Sequence, residues 1–171
     1  FCPLNGDDYV SVTNPSLLPW VLLPGNTGAI TLFWTPGNTP VVVACSLQDG
    51  RRVLKAWKMS TVSGNRIFVP LAVPEQATRT VVSRTGDSIA FISPLSVQVF
   101  DSETWEERGV YRDQPVVSVV WGGPAQLYVG GTDSVVLWNY SNGAVSPLIA
   151  SSVRTFGWDE TGTRVLAETS R

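Results

Sequence analysis

Residues 116–150 read VVSVVWGGPAQLYVGGTDSVVLWNYSNGAVSPLIA. Four short runs stand out: Val116–Trp121, Gln126–Gly130, Ser134–Trp138 and Ala144–Ala150. Each is rich in β-branched, aromatic and aliphatic residues and too short for a globular helix, so each reads as a strand. Between them stand Gly122-Gly123-Pro124, Gly131-Thr132-Asp133 and Asn139-Tyr140-Ser141-Asn142-Gly143. These residues tolerate positive φ or preset a turn, so the stretch predicts a four-stranded antiparallel meander.

The same unit recurs on both sides. Thr78–Ser83, Ser88–Ile92, Ser96–Phe100 and Arg108–Tyr111 form one upstream copy. Ala29–Trp34, Pro40–Cys45, Arg52–Trp57 and Arg66–Leu71 form an earlier one, with a long loop or insertion expected across Lys58–Gln76. Downstream, Val153–Trp158 and Arg164–Glu168 make the first half of another. Third strands end at Trp57, Phe100 and Trp138, 43 and 38 residues apart. First strands end at Trp34, Ser83, Trp121 and Trp158, at intervals of 49, 38 and 37. A self-similar period of about 40 residues is the signature of a repeat architecture. The expected fold class is therefore all-β, with about three full four-stranded units plus a partial one.

Composition agrees with a packed chain. Of 171 residues, 43% are hydrophobic and 15% charged, which excludes a disordered segment. Net charge is −2, and the basic residues are scattered apart from Arg51, Arg52, Lys55 and Lys58. That is too little for a surface that tracks phosphates, so nucleic acid is not an expected partner. The apolar stretch Leu17–Leu23 is broken by Pro19 and is too short to span a bilayer. Cys45 reads as a small hydrophobe in a strand, and a disulfide to Cys2 is not required by the pattern. A reducing, cytoplasmic setting is the expectation. With Phe1 first and no Met there, the chain is expected to have been processed or to be cut from a longer protein.

At the strand ends the chain resembles the WD40 family of β-propellers. That family closes its third strand with Trp-Asp and a small-residue turn; Phe100-Asp101-Ser102-Glu103-Thr104 and Trp138-Asn139-Tyr140-Ser141-Asn142-Gly143 stand in that place. It joins its first two strands by a turn like Ser-Pro-Asp-Gly. Trp34-Thr35-Pro36-Gly37-Asn38, Ser83-Arg84-Thr85-Gly86-Asp87 and Trp158-Asp159-Glu160-Thr161-Gly162 are similar in kind. The likeness covers residues 29–171 and implies propeller blades, preceded by an N-terminal segment, 1–28, with edge or closing strands. One departure is definite. The sequence holds no His, so the family's Asp-His-Ser/Thr-Trp hydrogen-bond network cannot form. Tricorn-type and quinoprotein-type propellers suit the same spacing. The resemblance implies that Trp34, Trp57, Trp121, Trp138 and Trp158 pack between blades. It also implies an open arc completed by chain regions outside this sequence, a partner or a second copy. Closure into a four-bladed ring, through Tyr9–Thr13 and Trp20–Leu23 beside Arg164–Glu168, is the rival arrangement.

Chemistry is sparse. Without His there is no Ser-His-Asp triad, Cys-His pair or His-ligated metal. No helix follows a Gly-rich turn to hold a phosphate. No catalytic, cofactor or metal site is expected. Asp7-Asp8, Asp101 with Glu103, and Glu106-Glu107 read as turn carboxylates. Asn139-Tyr140-Ser141 matches an N-glycosylation acceptor, although turn chemistry explains it equally. The candidates for binding a protein partner are Trp105, Tyr111, Arg112, Asp113, Tyr140, Arg51 and Arg52, because aromatic and Arg side chains in loops are enriched at interfaces. The expected function is a protein–protein interaction scaffold in a multi-subunit complex. The alternatives are a propeller enzyme or ligand binder with carboxylates at its channel mouth, and an extracytoplasmic structural repeat protein.

Overall fold

The computed structural model describes residues 8–10, 21–23, 27–48, 50–150, 153–158 and 165–169. Among these there is no helix. The strands are β1 (Asp8–Val10), β2 (Val21–Leu23), β3 (Thr27–Trp34), β4 (Pro40–Gln48), β5 (Arg51–Val62), β6 (Asn65–Leu71), β7 (Arg79–Val82) and β8 (Ser88–Ser93). They continue with β9 (Ser96–Asp101), β10 (Glu107–Tyr111), β11 (Val116–Gly123), β12 (Gln126–Gly131), β13 (Val135–Asn139), β14 (Val145–Ile149), β15 (Val153–Trp158) and β16 (Val165–Thr169). β3–β6, β7–β10 and β11–β14 each form a four-stranded sheet whose neighbours are consecutive in sequence, and β1–β2 and β15–β16 form two-stranded sheets. Every pairing is antiparallel. The expected meanders are present, because short turn-residue connections favour pairing each β-branched run with the run just before and after it.

The chain forms two compact units, Phe1–Thr78 and Arg79–Arg171, parting inside the span expected to hold the repeats. In the first unit, Val41, Val42, Val43 and Ala44 are fully buried, and Leu32, Trp57 and Phe68 pack on Val42 and Ala44. Within Lys58–Gln76 the expected strand Arg66–Leu71 is present as β6, but most of the expected long loop before it is strand as well. β5 runs on to Val62 and returns as β6 after Ser63 and Gly64, whose φ of 51° and 81° make a tight two-residue hairpin. Trp34 corrects the packing expectation: it is 43% exposed, one residue past the buried Phe33 and on the other face of β3. The described part of β1 pairs with β2 from Asp8↔Leu23 to Val10↔Val21. Thr13, Trp20 and Arg164 lie outside the described residues, as does the Trp158 side chain.

The second unit has a continuous core. Ala90, Ile92, Val97, Val99 and Tyr111 of one sheet meet Val116, Val119, Trp121, Leu127, Val129, Val136, Trp138 and Tyr140 of the next. β11 lies against β7 and β8 on one side and β15 on the other, so the first strands of successive sheets stand side by side. Turn chemistry repeats with the sheets. Asp101 N donates to Glu106 O (2.9 Å) and Trp105 N to Asp101 O (2.9 Å). In the next sheet Asn139 N donates to Ala144 O (2.8 Å) and Gly143 N to Asn139 O (2.8 Å). These are the same turn, one repeat apart.

Candidate interaction surface

The candidate residues scatter. Arg51 and Arg52 open β5, opposite Gln48 and Leu47, and both are exposed in the first unit. Tyr111 and Tyr140 are not surface groups, which corrects the loop reading. Tyr111 is 2% exposed, and its ring lies 5.6 Å from Trp138. Tyr140 is 7% exposed and packs edge-on to Trp121 (5.9 Å) and against Trp138 (6.1 Å). Both sit at strand ends, where sequence alone suggests solvent. The adjoining sheet covers them, and a tyrosine suits that seam because its ring is apolar and its hydroxyl can reach a polar partner. Burial, with the charge of Asp113 adding to it, pushes the Tyr111 phenol up.

Trp105 is half-buried. Its ring stands 5.8 Å from Phe91 and 6.0 Å from Phe100, covering the face of its sheet away from the core seam. Its φ is 61°, the left-handed region that Gly143 occupies with φ 75° in the equivalent turn. Asp101 in this turn is committed to structure. Its Oδ1 accepts the amides of Glu103 (2.7 Å) and Thr104 (2.8 Å), and its Oδ2 accepts from Arg108. Burial pushes the Asp101 carboxyl up, but these three donors together hold it below its ordinary value. Asp87 behaves likewise: burial is outweighed by hydrogen bonds from Ser83 (2.6 Å) and Thr85 (2.8 Å) and by the charge of Arg108. Among the described residues no three His, Cys, Asp or Glu side chains gather as a metal site.

Arg112 and Asp113 are exposed, and the structure sets them in a built loop cluster. They begin the connection from β10 to β11. Val116 N, at its end, donates to Pro94 O (2.8 Å) in the β8–β9 turn. Gln114 reaches the β12–β13 turn: its Oε1 accepts from Ser134 Oγ (2.7 Å) and its Nε2 donates to Ser134 O (3.3 Å). Gly131 makes room for that amide, since a Cβ there would lie 2.4 Å from Gln114. Three loops are thus tied together at one end of the second unit. At the tip of the β8–β9 turn, Leu95 is 64% exposed, more than any other large hydrophobic side chain described. Sequence reading passed over Leu95 and Gln114, although a Leu in the short Ser93–Ser96 connector was a signal, because a turn tip offers no core to enter.

Comparison with solved structures fits the repeating sheets. The Dos1 propeller is similar to this chain, with a TM-score of 0.53 and 14% identity over 81% of this chain and 38% of that one. The chain has a β-propeller fold. Its four-stranded sheets are blades, β11 is an inner strand, and the exposed β14 is an outer one. The chain spans well under half the length of that propeller. No protein-family model matches the sequence, and no curated protein does. No helix among the described residues is long and apolar enough to cross a membrane.

Proposed function

We propose that this propeller segment is a protein-interaction platform of the WD40 type, and that it binds its partner through the loop cluster of Leu95, Arg112 and Asp113. The observation that carries this is the 64% exposure of Leu95 on a turn tied by hydrogen bonds to its neighbours. A large apolar side chain held out on a rigid loop, with a cation and an anion close in sequence to the same tie, has the make-up of an interface anchor and its polar rim. The equivalence of the Asp101 and Asn139 turns supports the WD40 likeness, since both follow the aromatic end of a third strand. The Asp101 carboxylate is engaged in capping its turn and in the pair with Arg108, which favours binding over catalysis there.

A photo-crosslinking side chain at position 95 or 113 tests this in the full-length protein. A discrete adduct is expected at both positions, lost when Arg112→Glu is added, with no such adduct from position 67 on β6. The same adducts from all three positions would overturn the assignment.

A further inference from the structure

We infer that Arg108 is the clasp that fixes the third blade's position on the second. Arg108 lies in β10, where the pairing with β9 shifts register between Glu107 and Gly109. One guanidinium nitrogen, Nη2, donates to Asp101 Oδ2. The other, Nη1, donates to Ser88 Oγ at 3.1 Å. Ser88 is fully buried, and its Oγ shares a hydrogen bond of 3.3 Å with the hydroxyl of Tyr140, which belongs to the third blade. A chain of polar contacts therefore runs from the second blade's last turn, through its fourth and second strands, into the next blade.

Both ends of this chain are held. Asp101 cannot swing away, because its other oxygen accepts two turn amides. Ser88 is set by its own amide, which donates to Ser83 Oγ at 3.1 Å. Tyr140 is set by its amide, which donates to Ala125 O at 3.0 Å. The next residue in β10 completes the device. A Cβ on Gly109 would lie 2.8 Å from Tyr140 O and 3.3 Å from Trp138 Cζ2, so only glycine lets the blades approach this closely. Arg108 supplies the fork and Gly109 the clearance. A lysine would have to make both bonds from a single nitrogen, whereas the guanidinium makes them from two nitrogens held apart in one rigid plane. Tyr111, Trp138, Tyr140 and Trp121 give the seam its apolar area, while the clasp selects where along the seam Tyr140 stops.

Hydrogen exchange by mass spectrometry on the full chain tests this, with Arg108→Met, Arg108→Lys, Ser88→Ala, Tyr140→Phe and the Arg108→Met/Tyr140→Phe pair. Each single change is expected to speed exchange in the 139–144 turn by about tenfold, the loss of one charge-assisted or buried hydrogen bond. The double variant is expected to exceed the larger single by less than twofold, because both break one chain. Arg108→Lys is expected to behave like Arg108→Met. Additive effects in the double variant, or an unchanged 139–144 turn, would overturn the clasp. Should Arg108→Met not fold, Ser88→Ala decides. It leaves the Arg108–Asp101 pair in place, so the 139–144 turn should loosen while the 101–106 turn keeps its protection, and loosening of neither or both would count against the inference.

Discussion

Trp105 shows how a single residue can hold an unfavourable backbone. Its φ of 61° places a bulky L-residue where the equivalent turn of the next blade has Gly143. Such a conformation costs about 1–3 kcal/mol and persists only when something else over-determines it. Here the ring contacts with Phe91 and Phe100 do so, each aromatic pair contributing about 0.5–1.5 kcal/mol. Two variants separate the effects. Trp105→Gly loses the rings but relaxes the backbone, whereas Trp105→Ala loses the rings and keeps the strain. Both are expected to be less stable than the parent, and Ala less stable than Gly by about 1 kcal/mol. Urea denaturation midpoints read the order, and Ala equal to or above Gly would contradict it. The same scale shows the limit of sequence reading. Trp138 and Trp121 were legible as seam residues from their place at strand ends. Tyr111 and Tyr140 occupy equally terminal positions, but what buries them is the seam between two blades, whose two sides lie about 30 residues apart in the sequence.

Among elements, the turns were legible and the strand lengths less so. Asp101 and Asn139 announce their turns because a short side-chain acceptor can cap two donors of the chain reversing beneath it. The length of β5 was hidden, since Lys58-Met59-Ser60-Thr61 mixes polar and apolar residues and only the Ser63-Gly64 hairpin reveals the continuation. The outer strands share a further property. β6 carries Pro70 and β14 carries Pro147, each lacking an amide donor, while β10 and β14 have register shifts. Outer edges built this way resist pairing with another chain. The carboxylates at the turns carry a pH dependence. Asp87 and Asp101 are held below their ordinary values, so their stabilisation is present above about pH 4 and is lost as pH falls through the lowered values. The urea midpoint is expected to be level from pH 7 to 5 and to decline below 4. Asp101→Asn, which copies the Asn139 cap, should lower the midpoint at pH 7 through the lost Arg108 pair and make the acid decline shallower. An unchanged acid slope would remove Asp101 from this role.

At the scale of the molecule, the repeat was legible because its period survives in residues that sequence displays: aromatics ending third strands and small residues in turns. The division at Thr78/Arg79 was not, since contacts rather than composition define it. Among the described residues, the second unit's seam is built from residues between Val81 and Tyr140, all of that unit. Residues 79–171 expressed alone are therefore expected to keep the near-ultraviolet circular dichroism of the buried Trp121 and Trp138 and to shield them from acrylamide. Free quenching of all the fragment's tryptophans would show that its core needs the first unit. The amide of Val116 bonded to the carbonyl of Pro94 carries a mechanical consequence. A tug on Leu95 enters the β8–β9 hairpin at its tip and passes through that one peptide hydrogen bond into β11 at Val116, which is paired with Gly131 of β12. The load is shared between two blades before any side chain has to yield, so a partner gripping Leu95 pulls on a stiff plate and not on a spring.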